Sequence, residues 1–483
     1  MKLLRFLSKA ALAACLSGPV TAQNLTYLPW TVCANETTAC AQANVTFAYY
    51  YGYPLYQYAL AVQNTENPTT NTLFHQRQVA TAADSWLNKP NVDTLYTRSF
   101  LDLSTSDLAI TVPEITDRYW VWPFYDFYGN NVANIGVLTS SPAGKYLVRF
   151  DNNTPGLQPS PDPRYKAYIN LPTPYGISLA RLLVSQNQTD VDAANRIQNA
   201  LTINPVCRDS PPVAPPLNLT LFTDPAFVPG SKNTLEEGVL KLLAHFSPYN
   251  EPIIVADRGW VSATLRGAGV FNGSFVQPDY TNLTVASATA NSSVVQELMI
   301  PGYLFSLGND WVLPDATYLG NFKSAYVTRY LIASIGYLAL TREQTVYPAY
   351  SSGVSQIIPS DRAMRITFTS RPVMKPLGFW SLTIYDYEAY LIPNDFNRYS
   401  VGDRSSFTMM DGTLYSNGGE GPFQILVQPS NMPPPANWTN NWLPSPTDGK
   451  GLQMNLRFYG GEEVMSNGSY LYPLVETIDP ITA

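Results

Sequence analysis

Four charged side chains lie among apolar and aromatic neighbours, a setting in which they could do chemistry. Asp93 lies in NVDTLY, Asp126 in FYDFY, Asp386 in IYDYE and Arg398 in DFNRY. Burial raises the pKa of a carboxyl group, so Asp126 and Asp386 are candidate catalytic acids or bases. A guanidinium beside rings can clamp a carboxylate. The structural alternative is that each Asp caps a turn or pairs with an arginine at a strand end.

A wider set of polar and aromatic residues could complete a pocket around these charges. The candidate substrate-binding residues are Asn91, Asp93, Tyr96, Trp120, Trp380, Tyr385 and Arg398. Aromatic rings can stack on a sugar, but rings in such runs more often belong to a core. We therefore interpret YWVWPFYDFY as mostly core, with Asp126 at its end directed into a sheltered hollow.

The sequence lacks the motifs of metal-dependent, nucleophilic and nucleotide-dependent enzymes. The chain has two histidines, His75 and His245, which excludes a histidine-rich metal site, and no zinc or calcium ligand spacing occurs. It also lacks a G-x-S-x-G nucleophile elbow, a glycine-rich phosphate loop and a dinucleotide fingerprint. We predict no metal and no cofactor, and we interpret both histidines as structural.

The composition favours many short strands and turns over long solvated helices. Of 483 residues only 13% are charged, while Tyr, Pro and Gly number 32, 40 and 29. The net charge of -7 argues against a nucleic-acid surface, because such a surface needs clustered Lys and Arg. The predicted partner is a small molecule or a carbohydrate rather than nucleic acid, and the oligomeric state stays open.

The amino terminus has the layout of a secretory signal peptide. Lys2 and Arg5 precede an apolar run around AALAACL, and VTA places small residues before a cleavage site after Ala22. No later segment reaches the roughly 18 apolar residues that a membrane span needs. We therefore predict that residues 1–22 are removed and that the protein is secreted, to the outside of the cell or to the secretory-pathway lumen.

Cysteines and glycosylation sequons suit that compartment. Cys33 and Cys40 could close a short disulfide loop worth roughly 2–3 kcal/mol, which leaves Cys207 as an odd and, we expect, buried thiol. N-x-S/T sequons are expected in surface loops. They begin at Asn24, Asn35, Asn44, Asn152, Asn187, Asn218, Asn272, Asn282, Asn291, Asn437 and Asn467.

Periodicity divides the chain into a β region, a mostly helical region and a second β region. Strands are predicted over much of 44–150, where 45–60 suits either a short helix or two strands. Helical periods follow in 189–201, 233–246 and 326–340, and strands resume from 362. The predicted fold is a β-dominated α+β protein with two jelly-roll-like β-sandwich domains joined by a helical segment. The predicted boundaries are 1–22 (signal peptide), 23–205 (N-terminal β domain), 206–345 (connecting region) and 346–483 (C-terminal β domain).

A repeated spacing suggests that the two β regions are copies of one unit. YW-x5-D at 119–126 matches FW-x5-D at 379–386, and a Tyr precedes each Asp. The even Trp-to-Asp separation would put both side chains on one face of an unbroken strand. The spacing predicts two aromatic central strands, each with a carboxylate at its carboxyl end.

Longer blocks around these motifs resemble a pair of known families. NVDTLYTRSFLDLS and RYWVWPFYDFYGNNVANIG resemble domain of unknown function 1254 (DUF1254), while GFWSLTIYDYEAYLIPNDFNRYSVGD and NWLPSPTDGKGLQMNLRFYG resemble its usual companion, DUF1214. The resemblance spans much of 45–205 and 320–478. It implies two jelly-roll-like domains joined by helices, no established cofactor and an unassigned activity. A remote likeness to glycan-cleaving amidases is an analogy of architecture only.

The family pattern carries over onto particular residues. They are Asn91, Asp93, Thr94, Leu95, Tyr96, Asp102, Arg118, Asp126, Gly136, Arg181, Trp380, Tyr385, Asp386, Asn397, Arg398, Tyr399, Trp442 and Arg457. This chain departs from the pattern at Leu138, where relatives often have Arg, and near Pro123, where they have Gln. A charged ligand bound by relatives is therefore not assumed for this protein.

Three functions remain open from sequence. The first is a secreted glycoprotein with a pocket for a small polar molecule or carbohydrate, its enzyme status open, in which Asp126 or Asp386 would transfer protons and Arg398 would clamp the ligand. The second is a tailoring enzyme of isomerase, cyclase or hydrolase type in a natural-product pathway. The third is a non-catalytic binding or coat glycoprotein, which the sequon density favours.

Overall fold

The computed structural model describes residues 38–482 except 85–88, 186, 209, 351–355 and 357. The signal peptide, Asn24, Asn35 and Cys33 lie outside the described residues. Cleavage after Ala22, these two sequons and the pairing of Cys33 with Cys40 therefore stay predictions.

The described residues contain six α-helices and 23 strands. The helices are α1 (Thr38–Gln63), α2 (Gln188–Ala200), α3 (Leu235–Phe246), α4 (Arg258–Gly267), α5 (Leu283–Leu298) and α6 (Tyr326–Gly336). The strands are β1 (Phe74–His75), β2 (Thr94–Asp102), β3 (Ser106–Val112), β4 (Trp120–Asp126), β5 (Asn131–Gly136), β6 (Gly144–Phe150), β7 (Gly156–Pro159), β8 (Ala167–Leu171), β9 (Tyr175–Leu183), β10 (Thr202–Cys207), β11 (Val270–Phe271), β12 (Ser274–Phe275), β13 (Leu304–Gly308), β14 (Trp311–Pro314), β15 (Thr345–Val346), β16 (Ala349–Tyr350), β17 (Ala363–Phe368), β18 (Met374–Asp386), β19 (Ser400–Gly402), β20 (Phe423–Pro429), β21 (Trp442–Ser445), β22 (Leu452–Gly461) and β23 (Leu474–Ile478).

The first β region is a sandwich of two five-stranded sheets. Sheet A has the order β1-β2-β9-β4-β5, and sheet B has the order β10-β3-β6-β8-β7. Trp120, Trp122 and Phe124 of β4 fill the apolar core between the two sheets. Because side chains alternate along a strand, the residues between them face away from this core.

The second β region is a sandwich of two four-stranded sheets. Sheet C has the order β15-β22-β18-β19, and sheet D has the order β21-β20-β17-β23. Trp380, Leu382 and Ile384 of β18 fill its core, as their counterparts on β4 do in the first sandwich. The residues between them, such as Ser381, again face outward.

Eight strands of the first sandwich are repeated in the second. In chain order, β2, β3, β4, β5, β6, β8, β9 and β10 correspond to β15, β17, β18, β19, β20, β21, β22 and β23, and the pairings among these eight match, while the edge strands β1 and β7 have no counterpart. The correspondence includes one parallel pair in each copy, β6 with β8 and β20 with β21. The repeated Trp-x5-Asp spacing thus marks a structural duplication.

The β-rich α+β fold predicted from the sequence is confirmed at this coarser level. A jelly roll is built from antiparallel strands, whereas each sandwich here contains a parallel pair. The finer expectation of two jelly rolls is therefore not confirmed, and the fold is best described as two mixed β-sandwiches with a helical layer.

The helical layer includes the amino-terminal helix as well as the connecting region. α1 contacts α3, α4, α5 and α6, and Tyr50, Tyr51 and Tyr58 on it are buried. These helices share an apolar cluster with Phe100 and Ile177 on the outer face of sheet A. The segment 45–60 is thus part of a 26-residue helix rather than strands. No described helix combines the length and the apolar character that crossing a membrane requires.

The predicted exposure of two sequon asparagines and the predicted burial of Cys207 are wrong, whereas other sequons are exposed as expected. Asn44 and Asn291 lie half-buried in α1 and α5 rather than in loops, and Asn291 accepts a hydrogen bond from the Tyr330 hydroxyl (2.7 Å). Cys207, expected to be buried, is an exposed free thiol. Six other sequon asparagines are exposed, namely Asn187, Asn218, Asn272, Asn282, Asn437 and Asn467.

Equivalent glycines test the duplicated strand packing. A Cβ added to Gly136 of β5 would lie 2.6 Å from the Trp120 carbonyl oxygen, and one added to Gly402 of β19 would lie 2.2 Å from the Trp380 carbonyl oxygen. We expect Gly136→Ala and Gly402→Ala each to lower the free energy of unfolding by about 1–3 kcal/mol through overpacking. Urea denaturation measures this, with Gly421→Ala as the control, since its added carbon would meet no atom within 4 Å. Equal stability of all three variants would contradict the expectation.

Candidate functional site

Sheets A and C pack against each other through their outward faces, and this contact brings the two sandwiches together. Tyr119, Val121, Phe379 and Tyr459 form a buried cluster there. The Phe379 and Tyr459 rings stack with centroids 4.4 Å apart, and Tyr119 meets both edge-on at 5.4 Å. The interface between the sandwiches is therefore aromatic.

Two buried arginines occupy equivalent positions in this interface. Arg181 of β9 pairs with Val121 of β4, and Arg457 of β22 pairs with Ser381 of β18. Val121 and Ser381 each follow the tryptophan of the repeated motif. Arg181 is 6% exposed and Arg457 is 3% exposed. The duplication has thus placed one guanidinium from each sandwich on the shared interface.

The arginines have hydrogen bonds but no carboxylate partner. Arg457 donates from Nη1 to Thr383 Oγ1 (2.7 Å) and from Nη2 to Tyr385 OH (2.6 Å). Arg181 donates from Nη2 to the Leu338 carbonyl (2.8 Å), and its buried Nε has no partner in the described part of the chain. Within that part, neither arginine forms a salt bridge.

Hydroxyl groups surround the two arginines. Tyr96 lies opposite Arg181 on β2, with the guanidinium carbon 5.5 Å from its ring centre. Tyr347 donates to Tyr459 OH (2.8 Å), which also accepts from Asn91 Nδ2 (2.9 Å). These contacts connect residues of both sandwiches.

Some of the buried hydroxyls have no partner among the described residues. They are Tyr119 OH and the Oγ1 atoms of Thr94 and Thr345. Thr94 pairs with Leu183 and Thr345 pairs with Tyr459, so the two threonines are equivalent in the duplication. A hydroxyl can donate a hydrogen bond as well as accept one. We call Thr94, Tyr96, Tyr119, Arg181, Thr345, Tyr347, Arg457 and Tyr459 the paired-arginine cluster.

Asp93 is the acid that lies closest in structure to this cluster, and it is already paired. Its carboxylate accepts from Arg404 Nη2 (2.7 Å) and from Ser381 Oγ (2.6 Å), and it is 1% exposed. The Arg404 guanidinium carbon also lies 4.5 Å from the centre of the Phe379 ring. The Asp93 carboxylate thus contacts Arg404, and it acts on Arg457 only from a distance, without a salt bridge.

A polar cleft of about 260 Å³ opens beside the cluster. Its lining residues come from both sandwiches and are Asp117, Arg118, Leu183, Ser185, Asn187, Asp190 and Arg404. Leu183 lies two residues beyond Arg181 on the same face of β9, roughly 7 Å along the strand. The cleft therefore lies at the outer end of the buried cluster.

Lys89 is a further cation near Arg457. Burial, followed by repulsion from Arg457, lowers the pKa of the Lys89 ammonium to about 8. Lys89 is half-buried and precedes Pro90, whose carbonyl accepts from Tyr385 OH (2.8 Å). An amine with such a pKa can exchange a proton near neutral pH.

The structure brings together some of the residues predicted from the sequence and separates others. Asn91, Asp93, Tyr96 and Tyr385 meet at the interface between the sandwiches. Arg398 does not join them, because it donates to the carbonyls of Thr439 and Trp442 within the second sandwich.

Trp120 and Trp380 also lie away from the interface. Their rings fill the cores of the first and second sandwich, where Trp380 Nε1 donates to Tyr415 OH (2.9 Å). This corrects the expectation that they line a pocket, since a ring enclosed in a core offers no face to a ligand.

Asp126 and Asp386 hold equivalent turns at the ends of β4 and β18. Asp126 Oδ1 accepts from the backbone N–H groups of Tyr128 and Asn130 (both 2.9 Å), and Asp386 Oδ1 accepts from that of Tyr390 (2.8 Å). Burial raises the pKa of both carboxyl groups. These contacts fit the structural alternative, in which each acid caps a turn.

Sequence reasoning did not select Arg181 and Arg457 as site residues, although the family pattern includes both. A second repeat could have pointed to them. DTLY at 93–96 and QTVY at 344–347 occupy equivalent positions, and each Tyr of the repeat lies beside one of the arginines.

His75 makes a contact that fits the structural role expected for it. Its Nδ1 lies 2.9 Å from Thr97 Oγ1, and burial lowers the pKa of its imidazole to about 4.

Comparisons with known proteins match the two β regions to two family models. The family model "Protein of unknown function (DUF1254)" matches residues 70–205, and "Protein of unknown function (DUF1214)" matches residues 344–463. The VPA0106 protein from Vibrio parahaemolyticus has a similar fold, with a TM-score of 0.59 and 19% identity over 91% of this chain and 100% of that chain. A "putative uncharacterized protein" from Burkholderia cenocepacia gives a TM-score of 0.42 at 12% identity, over 99% of this chain and 95% of that chain. The search of curated proteins finds no match.

The unpaired charge at Arg181 has a consequence for stability. A buried guanidinium without a carboxylate partner destabilises the folded state. We expect Arg181→Met to leave the melting temperature of the ligand-free protein unchanged or to raise it. Arg329→Met is the matched comparison. That guanidinium is also buried without a salt bridge among the described residues, but it lies 4.6 to 4.9 Å from three tyrosine rings, donates to the Tyr51 carbonyl and interacts electrostatically with Asp126.

Thermal unfolding followed by circular dichroism measures both variants. Arg329→Met should lose about 2 kcal/mol or more, since it removes desolvated cation–π contacts and a hydrogen bond. If Arg181→Met destabilised the protein as much as Arg329→Met does, Arg181 would be a structural residue.

Proposed function

We propose that this chain, which belongs to the family that joins DUF1254 to DUF1214, binds a small organic anion between its two β-sandwiches. One observation carries the proposal: two buried guanidinium groups share an interface without a carboxylate partner among the described residues. Removing such charges from water costs several kcal/mol each unless an opposite charge is brought in. A bound carboxylate would supply that charge and match the planar guanidinium fork.

The surrounding groups support an acceptor-rich ligand. Arg181 Nε and the hydroxyls of Thr94, Tyr119 and Thr345 are buried donors without a described partner. A carboxylate is acceptor-only when ionised, so it can satisfy several such donors at once. The aromatic cluster of Tyr119, Phe379 and Tyr459 in the same interface gives the ligand's carbon atoms apolar surroundings.

This proposal narrows the sequence-based expectation of a small polar molecule or carbohydrate. Among carbohydrates, those that bear a carboxylate fit best. Secretion and glycosylation remain part of the proposal, supported by the signal-like amino terminus and by the exposed sequon asparagines. Asn187, one of those asparagines, lines the cleft.

An acid–base enzyme is the second candidate, and Lys89 favours it. The sequence suggested Asp126 and Asp386 for proton transfer, but both cap turns. Lys89 has a pKa of about 8 and lies near Arg457, so a substrate held by the arginines would lie near an amine able to take up a proton.

Anion binding can be tested by ligand-induced stabilisation. In a panel of organic acids and their uncharged amides, we expect at least one acid, but not its amide, to raise the melting temperature. A ligand at 100 times its Kd stabilises by about 2.7 kcal/mol. Arg181→Gln and Arg457→Gln should each weaken the effect and together abolish it, whereas Arg398→Gln, outside the cluster, should retain it. A response that survives both cluster substitutions would refute the proposal.

The role of Lys89 can be tested through its reactivity. The neutral amine is the reactive form, so acetylation of Lys89 should rise with pH and reach its half-maximal rate at about pH 8. An ordinary lysine, with a pKa near 10.4, would still be gaining rate up to about pH 10. Peptide mass spectrometry after timed acetylation measures this, with the exposed Lys145 as the internal control. Parallel rate curves for the two lysines would exclude a special role for Lys89.

A further inference from the structure

We infer that the occupant of the paired-arginine cluster is a dicarboxylate, with one carboxylate held by each arginine. The inference rests on the proposed function and names its ligand class. It follows from the equivalence of the two arginines, each of which extends from the central region of its own sandwich. Because each sandwich contributes one arginine that can bind an anionic group, the matching ligand has an anionic group at each end.

The two arginines belong to one site rather than two. Tyr347 and Tyr459 are electrostatic neighbours of both guanidinium groups, and their hydroxyls are hydrogen-bonded to each other at 2.8 Å. Two like charges that share the same neighbours repel each other in a low-dielectric setting. A monoanion would compensate only one of them, whereas a dianion compensates both.

Each end of the site has its own hydroxyl donors. Thr94 and Tyr96 lie beside Arg181, and Thr345 and Tyr347 are their equivalents beside Arg457. The Oγ1 atoms of both threonines are buried without a described partner. The arrangement therefore repeats an arginine, a threonine and a tyrosine at each end, as two carboxylates would require.

The two ends of the site differ in how many guanidinium nitrogens already donate hydrogen bonds to the protein. Arg457 uses both terminal nitrogens in hydrogen bonds to Thr383 and Tyr385. Arg181 donates from Nη2 to the Leu338 carbonyl, and its buried Nε has no acceptor among the described residues. Arg181 Nε is therefore a donor that a carboxylate oxygen can accept from, and we expect the Arg181 end to bind its carboxylate more strongly.

Aromatic rings are the other feature of the interface that holds both arginines. The stacked rings of Phe379 and Tyr459, with Tyr119 against both, lie in the same interface as the two arginines. In such apolar surroundings methylene groups are favoured over polar groups, because their burial removes apolar surface from water. The dicarboxylate is therefore expected to have an apolar linker.

Isothermal titration of the full chain tests this with matched acids. The dicarboxylates are succinate, glutarate and adipate, and the matched monocarboxylates are butyrate, pentanoate and hexanoate. We expect at least one dicarboxylate to bind about tenfold or more tightly than its matched monocarboxylate, because a second charge-assisted contact forms. Arg181→Gln or Arg457→Gln should reduce that affinity to the monocarboxylate level, and Arg398→Gln should not.

The outcomes separate this inference from the proposed function. If monocarboxylates bind through the arginines and no dicarboxylate binds more tightly, the inference is overturned and the proposed function stands. If no acid binds the wild-type chain, both are overturned. The affinity ratio in the wild-type protein gives the answer even where a substitution prevents folding. In a folded single variant, an undiminished dicarboxylate preference would also overturn the inference.

Discussion

The structure depends on the alternation of side chains along two equivalent central strands. On β4 and β18 the tryptophans point into the sandwich cores, so the residues between them must point outward. Those outward faces meet where the sandwiches pack, and the paired strands β9 and β22 place an arginine on the same face. A one-residue slip in either strand would exchange the tryptophans for the interface residues. The register of these strands therefore decides both the cores and the site.

Burying two guanidinium groups in one interface lowers the free energy of unfolding. Apolar side chains of similar size often stabilise a protein where a buried charge does not. The two sandwiches already contact each other through aromatic rings and through the hydrogen bond from Asn91 to Tyr459. These contacts hold the sandwiches together without the arginines. A role of the arginines in binding a ligand, as proposed above, is consistent with this.

The sequence was most informative where the signal is local. The alternation in 119–126 and 379–386 predicted both central strands, and the helical periods in 189–201 and 233–246 predicted α2 and α3. Alternation shows which residues share a face but not which face is interior, so it could not distinguish a pocket role for Trp120 and Trp380 from a place in the core. The tyrosine-rich segment of α1 has side chains that also suit strands, and its tertiary contacts make it a helix.

The site was harder to predict because it is made by pairing between distant strands. Tyr96 meets Arg181, and Ser381 meets Asp93, only after long-range packing that no local pattern encodes. Asp126 and Asp386 attracted attention through their apolar neighbours, yet a carboxylate at a strand end commonly caps a turn. The repeat of DTLY in QTVY was the accessible signal, because it marks residues that duplication kept in register.

The position of α1 has a consequence for how the chain is made. It is the first described element, yet α3, α4, α5 and α6, which it contacts, lie between residues 235 and 336. At roughly 5–20 residues per second, the ribosome needs on the order of tens of seconds to deliver them. Throughout that time the tyrosines of α1 have none of their final neighbours from these helices. The helical layer is therefore completed late in synthesis, after the strands of the first sandwich have already emerged.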